Sequence, residues 1–212
     1  MRVLMLDDHV LFIQGLRTLL GVLAPGFVID TASRLPDAVA MARNTAYDLV
    51  LLDWHLADDG PGEVAMRALR DAGCMARIVV VSAETKTQVI RSAIDHGAAG
   101  FIPKRHDGEA LLTALNTVVN GGIYLPPEAQ QADAGKDGDL IALETRYSHL
   151  TQRQADVYRA AARGLPNKLI ARELGIAEST VKTHLAALFA ELGLPNRAAL
   201  AYHASREGIR VG

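Results

Sequence analysis

Cysteine is almost absent from this sequence, since Cys74 is the only one among 212 residues. The chain therefore cannot form an intrachain disulfide, and nothing in its composition suggests an oxidising compartment. The sequence also lacks an apolar run of the roughly 20 residues that a membrane-spanning helix needs. It begins directly with a predicted strand, without the basic and apolar segments of a secretory signal. We therefore expect a soluble, cytoplasmic protein with no membrane partner, in which Cys74 is a small residue near the start of a strand.

Charge is nearly balanced over the whole chain but not along it. The net charge is −2. Residues 1–125 contain 11 Lys and Arg against 14 Asp and Glu, and residues 126–147 contain 2 against 5, so each part has a net charge of −3. Residues 148–212 contain 9 against 5, a net charge of +4. This excess suits a polyanionic partner for the last part of the chain, although four charges alone do not establish DNA binding.

Four short apolar runs each end at a residue that can take part in chemistry. Uninterrupted apolar runs of this length are typical of buried strands in a parallel sheet. Ligands of open parallel sheets bind beyond the carboxyl ends of the strands. The sequence therefore predicts that the residues ending the runs meet at one pocket. The runs are Val3–Leu6 before Asp7 and Asp8, Leu49–Leu52 before Asp53, Ile78–Val81 before Ser82, and Gly100–Pro103 before Lys104.

The three carboxylates predict a metal-assisted site for a phosphoryl group. Clustered carboxylates repel one another unless a cation lies among them, and oxygen ligands favour Mg²⁺. We predict that Asp53 is the nucleophile that accepts the phosphoryl group. Asp8 would bind the metal directly and Asp7 through a water molecule. His55 would offer its backbone carbonyl, because imidazole is a poor magnesium ligand.

Two further strand-end residues complete the predicted site. Lys104 would pair with the phosphoryl oxygens as a point charge, and Ser82 would donate a hydrogen bond to the same group. Taken singly, an acidic residue after a strand is most often a helix cap, this lysine a solvated charge, and this serine a turn residue. The joint pattern on four strands favours the phosphoryl-transfer site.

The chain is predicted to contain two domains and a linker. Alternating strand and helix signals fill residues 1–125 and indicate a doubly wound α/β domain of five strand–helix repeats. Residues 126–147 are polar, acidic and poor in large apolar residues, which predicts a mobile linker with a short helical turn at residues 140–143. From Leu150 the pattern is helical, with Thr151 as the first cap and a glycine at the end of three helices. Four short helices joined by such turns are typical of a helix-turn-helix domain, at residues 148–212.

The strand-end residues resemble the receiver domain of two-component response regulators. The resemblance implies a flavodoxin-like (βα)5 fold, magnesium as cofactor, a sensor histidine kinase as phosphoryl donor, and no catalysis beyond the domain's own phosphorylation and dephosphorylation. It implies that Asp53 is phosphorylated and that Ser82 and Phe101 form a switch, in which the hydroxyl moves toward the phosphoryl group and the aromatic ring turns inward. A plain core role for Phe101 is compatible with this. The similarity covers residues 7–9, 51–56, 81–83 and 100–104.

Two positions depart from the pattern of this family. The proline usual four residues after the phosphoryl acceptor is replaced by Ala57, and residues 58–61 replace the common loop. This change alters the loop beside Asp53 and bears on the lifetime of the phosphoryl group. The proline that often follows the lysine is replaced by Arg105, at a bond that is cis in the family, and cis bonds are expensive without proline. Neither change removes a catalytic group.

Residues 150–200 resemble the LuxR-type helix-turn-helix of the NarL/FixJ response regulators. In the third predicted helix, Val181, Leu185, Leu188 and Leu192 share one face and are expected in the core. The resemblance implies a dimer contact through the last helix and an operator of paired half-sites. It implies base contacts from Lys182 and Thr183, and phosphate contacts from a larger set. That set is Asn167, Lys168, Ser179, Thr180 and His184.

Three functions are compatible with these sequence features. The first is a transcription factor in which phosphorylation of Asp53 controls dimerisation and DNA binding. The second keeps the DNA binding but makes the receiver a phosphorylation-independent protein-interaction module, which the unusual loop after Asp53 favours. The third is a phosphatase with Asp53 as nucleophile, but His55 stands where that class needs an aspartate as acid, and an appended helix-turn-helix has no place in it. The complete set of acidic, hydroxyl and lysine positions favours the first.

Overall fold

The computed structural model describes residues 1–23, 26–57, 60–130, 143–209 and 211. The chain divides into two compact units, Met1–Asn116 and Thr117–Gly212. Within the described ranges, no helix is both long enough and apolar enough to cross a bilayer.

The first unit is an α/β fold, as the sequence predicts. Its elements are β1 (Arg2–Leu6), α1 (Val10–Leu23), β2 (Val28–Ala32), α2 (Leu35–Asn44), β3 (Leu49–Asp53), β4 (His55–Leu56), β5 (Gly60–Pro61), α3 (Gly62–Asp71), β6 (Arg77–Ser82), α4 (Thr87–Asp95), β7 (Phe101–Pro103) and α5 (Gly108–Val119). Five strands form a parallel sheet in the order β2-β1-β3-β6-β7. The apolar runs of β1, β3 and β6 are buried throughout, which explains why they lack the alternation of half-exposed strands.

The strand order fixes where a site can form. The chain passes from β1 to β2 on one side and then returns to place β3 on the other side of β1. Such a reversal leaves a crevice beyond the carboxyl ends of β1 and β3. β4 and β5 form an antiparallel pair just after β3, a feature that was not predicted. Cys74 is buried shortly before β6, as expected for a small residue there.

The second unit is helical, and its caps explain why its helices end where the sequence predicts. Its helices are α6 (Pro127–Gln130), α7 (Leu143–Arg146), α8 (Gln152–Ala162), α9 (Asn167–Leu174), α10 (Glu178–Leu192) and α11 (Arg197–Arg206). Thr151 caps α8 in a reciprocal capping box with Gln154. Gly175 and Gly193 end α9 and α10 in the left-handed conformation, with φ of 65° and 64°. The core includes the fully buried Tyr158.

Part of the predicted linker falls outside the described residues, namely 131–142. Before it, α6 contacts α11, and its Ala129 is only 3% exposed. After it, Leu143 is 1% exposed and belongs to the core of the second unit. The predicted turn at residues 140–143 is therefore described only at Leu143, which begins α7. The mobility of the linker stays a prediction.

Candidate functional site

The strand-end carboxylates lie together in the first unit. β1 and β3 pair in register, with Leu6 opposite Leu52, so the residues that follow emerge side by side. Asp7 and Asp53 are 4% and 3% exposed, unusually low for carboxylates. Single ligand atoms of Asp7, Asp8, His9 and Asp53 all lie within 4.8 Å of one another.

Lys104 supplies the positive charge of this cluster. Its Nζ lies 2.7 Å from Asp7 Oδ2 and 2.7 Å from Asp53 Oδ2, and the side chain is 11% exposed. The backbone holds it there, because the Lys104 amide donates to the Ser82 carbonyl at 2.8 Å. Nζ also lies 4.8 Å from the ring centroid of Phe12, a cation–π contact. The ammonium thus bridges the two most buried carboxylates.

Opposing effects act on the ionisation of Asp53. Burial raises the pKa of its carboxyl above the ordinary value, and the charge of Asp7 adds to the rise. The hydrogen bond and positive charge of Lys104 lower the same pKa, as does the amide of His55, which donates to Asp53 Oδ1 at 3.3 Å. The net direction is upward. Positive charge brought close to Asp53 therefore favours its nucleophilic, ionised form.

The cluster fits a hard divalent cation. Asp8 Oδ2 accepts a hydrogen bond from the Ala57 amide at 3.1 Å. Asp8 Oδ1 is buried and finds no hydrogen-bond partner in the described part of the chain. A buried, unsatisfied carboxylate oxygen beside two further carboxylates is a ready ligand atom for Mg²⁺.

The remaining receiver residues lie around the same strand ends. Ser82 ends β6 and is fully buried, and its Oγ accepts a hydrogen bond from the Glu84 amide at 3.1 Å. Phe101 begins β7 and is also fully buried. The side chain of His55 is exposed, with Nε2 3.3 Å from Glu84 Oε2. The peptide bond between Lys104 and Arg105 is trans. Asp58 and Asp59 of the altered loop lie outside the described residues.

The sequence does not reveal the roles of three side chains that adjoin Asp53 or Lys104. His9 directs Nδ1 into the carboxylate cluster, and Phe12 lies under the ammonium of Lys104. Trp54 is 3% exposed and packs against Gly62. His9 and Trp54 belong to the receiver resemblance, but the sequence does not tell which way a side chain points and so predicts no role for them.

The helix-turn-helix presents most of its predicted DNA-contacting residues to solvent. Val181, Leu185 and Leu188 are buried and Leu192 partly so, which confirms the predicted core face of α10. Two of the predicted DNA-contacting residues make side-chain hydrogen bonds within the unit: Asn167 Oδ1 accepts from Arg197, and Thr183 Oγ1 donates to the Ser179 carbonyl at 3.1 Å. Lys168, Ser179, Lys182 and Thr183 are exposed, and Asn167, Thr180 and His184 are half-buried.

Family models match both units. Residues 3–116 match the response regulator receiver domain, and residues 148–204 match the bacterial regulatory proteins of the luxR family. The nitrate/nitrite response regulator NarL of Escherichia coli is 30% identical over 208 residues, which cover 98% of this chain and 96% of NarL. The related NarP of Escherichia coli is 32% identical over 93% of this chain and 91% of its own length.

Solved structures of response regulators have similar folds. A LuxR family DNA-binding response regulator from Silicibacter pomeroyi is 31% identical, with a TM-score of 0.51 over 59% of this chain and 96% of its own. The RcsB response regulator of Salmonella typhimurium has a TM-score of 0.55 over 97% of this chain and 98% of its own, although at 18% identity it supports the fold alone. The receiver match alone spans more than half of the sequence. The chain therefore belongs to the NarL/FixJ family of two-component response regulators, which join a receiver domain to a LuxR-type DNA-binding domain.

Proposed function

We propose that this response regulator is switched by phosphorylation of Asp53 and that the switch controls dimerisation and DNA binding. One observation carries the proposal: the buried Asp53 carboxylate lies 2.7 Å from Lys104 Nζ and within the Asp7–Asp8 cluster. The donor is a phosphohistidine of a sensor histidine kinase, and the site of action is the cytoplasm.

The reaction is a displacement at phosphorus by a carboxylate. An oxygen of Asp53 bonds to phosphorus as the phosphorus–nitrogen bond of the donor breaks, and the imidazole leaves. Lys104, whose Nζ lies 2.7 Å from Asp53 Oδ2, would pair with the phosphoryl oxygens, and Ser82 would donate a hydrogen bond to them. Asp8, Asp53 and the His55 carbonyl would hold Mg²⁺ directly and Asp7 through water. When bound, the ion supplies further positive charge to the phosphoryl oxygens.

The second unit carries out the DNA binding that the switch controls. Lys182 and Thr183 lie exposed on α10, on a different face from its buried core residues, which suits base contacts in a major groove. Phosphate contacts from the half-buried and exposed residues around them set the affinity. The Silicibacter pomeroyi relative is named a DNA-binding response regulator, which supports the same output here. Dimerisation through α11 would place two copies of α10 on paired half-sites.

Intact mass after incubation with acetyl phosphate and Mg²⁺ tests this proposal, with binding to operator DNA followed in parallel. We expect a phosphoryl adduct in the wild type and in Asp71→Asn, an exposed aspartate at the end of α3. Asp53→Asn should show no adduct and no gain in dimeric DNA binding. No adduct in the wild type, with unchanged DNA binding, would instead favour the phosphorylation-independent interaction module.

A further inference from the structure

We propose that the imidazole of His9 holds the place of the divalent cation, so that magnesium must displace it and His9 thereby sets the magnesium affinity of the receiver. His9 Nδ1 lies 2.8 Å from Asp8 Oδ1, 3.1 Å from Asp7 Oδ1 and 3.6 Å from Asp53 Oδ2. These are the three carboxylates that the proposed function assigns to the metal, and the inference rests on that assignment.

The chemistry of the contacts fixes how the ring is used. Carboxylate oxygens only accept hydrogen bonds, so the contacts fit the tautomer that carries its hydrogen on Nδ1, the nitrogen that faces three of them. That hydrogen has an acceptor in Asp7 Oδ1. Asp8 Oδ1, although only 2.8 Å from Nδ1, is still without a hydrogen bond among the described residues. The single N–H group therefore leaves one buried oxygen of the cluster without a hydrogen bond.

A divalent cation can bind several of these oxygens at once, which one N–H group cannot do. The cation and the His9 imidazole cannot occupy the same position. Lys104 already pairs with Asp7 Oδ2 and Asp53 Oδ2, so the oxygens left to a cation include Asp7 Oδ1 and Asp8 Oδ1, the two that lie nearest to His9 Nδ1. The ring can move out into solvent, because the His9 side chain is 65% exposed. The backbone can stay in place, because the His9 amide makes its own hydrogen bond to Asp7 Oδ1 at 2.9 Å. Binding of the cation therefore exchanges the imidazole contacts for metal contacts.

The exchange has a measurable direction. In His9→Ala the carboxylates lose a donor and the cation has no side chain to displace, so both effects raise the affinity for Mg²⁺. We expect a dissociation constant about tenfold lower, which corresponds to about 1.4 kcal/mol. Without Mg²⁺ the same variant should unfold at a lower temperature than the wild type, and saturating Mg²⁺ should remove that difference.

The experiment titrates the full chain with MgCl₂ and follows the fluorescence of Trp54, the only tryptophan and the neighbour of Asp53. Mn²⁺ binding by electron paramagnetic resonance gives a readout that does not depend on the indole. His96→Ala is the matched control, because His96 is an exposed histidine whose Nδ1 lies 2.8 Å from the Ser92 carbonyl, away from the cluster. Its affinity should equal that of the wild type.

The outcomes separate this inference from the function on which it rests. Tighter binding in His9→Ala alone supports the exchange. Equal or weaker binding in His9→Ala, with the wild type still binding the ion, overturns the role of His9 and leaves the metal site standing. No binding of either ion by any of the three proteins overturns the magnesium site itself, and with it the exchange.

Discussion

Replacing Gly62 with alanine tests how tightly the loop after Asp53 is packed. Gly62 is the first residue of α3, and a Cβ there would lie 2.4 Å from Cε3 and 2.8 Å from Cδ2 of Trp54. Carbon atoms in contact normally lie about 3.5–4.0 Å apart. The ring is 3% exposed and therefore enclosed. Either the indole or the start of α3 must therefore move by about 1 Å. A shift of the indole would act directly beside the site, because Trp54 follows Asp53 in the sequence.

Two opposing effects decide how much Gly62→Ala changes the stability of the protein. Alanine in a helix interior is favoured over glycine by up to about 1 kcal/mol, and less at the first residue. Overpacking of a rigid, enclosed ring costs about 1–3 kcal/mol. We therefore expect Gly62→Ala to lower the free energy of unfolding by about 1–2 kcal/mol, which lowers the melting temperature by roughly 3–10 °C.

Gly15→Ala is the matched control for this experiment. Gly15 lies within α1, and no described atom lies within 4 Å of a Cβ added there, so alanine should stabilise by about 0.5–1 kcal/mol. Thermal unfolding by circular dichroism gives the stability, and Trp54 emission reports the ring. Gly62→Ala should shift the emission and Gly15→Ala should not. A Gly62→Ala protein as stable as the control, with unchanged emission, would refute the packing argument.

Three further predictions follow from charged and aromatic contacts. Lys104→Met leaves Asp7 and Asp53 without their ammonium and should lower the stability by about 3 kcal/mol; adding Asp53→Asn should recover part of this, and strictly additive losses in the double-mutant cycle would contradict it. Phe12→Leu removes the ring beneath that ammonium and should slow phosphorylation by acetyl phosphate severalfold, whereas Phe12→Tyr should not; equal rates in all three proteins would exclude a positioning role. Burial lowers the pKa of His203 from 6.5, so the unfolded chain binds the proton more readily and stability should fall as the pH drops through and below 6.5. Urea unfolding across this range should show that fall in the wild type and less of it in His203→Gln, and identical pH profiles would contradict the assignment.

The carboxylate cluster could be predicted because sheet topology brings strand ends together whatever their separation in sequence. Asp7, Asp53 and Lys104 are up to 97 residues apart in the sequence (104 − 7), yet each follows or ends an apolar run, and parallel pairing places those ends at one edge. Helix ends could also be predicted, because left-handed positions such as Gly175 favour glycine for steric reasons. These features depend on backbone geometry, which short patterns specify.

The features that escaped prediction depend on rotamers and on close approach. The direction of His9 Nδ1, the ring of Phe12 beneath an ammonium and the fit of Gly62 against Trp54 are decided only once the backbone is placed. The pairing of β4 with β5 lies where the sequence departs from the family pattern at Ala57, so the resemblance does not predict it. The packing of α6 on α11 was not predicted, because the polar composition of residues 126–147 is typical of a linker.

Asn167 makes a stabilising contact that is compatible with its predicted contact to DNA. The resemblance assigns it to the DNA backbone, and in the structure its Oδ1 accepts a hydrogen bond from Arg197, which also donates to the Leu165 carbonyl. The amide of asparagine has two ends, an oxygen that accepts and an NH₂ group that donates. A DNA phosphate accepts hydrogen bonds, so it needs the NH₂ end, which the arginine does not use. Arg197 therefore fixes the turn between α8 and α9 and the orientation of the amide at once, and the contact that stabilises this corner is compatible with the contact that would bind DNA.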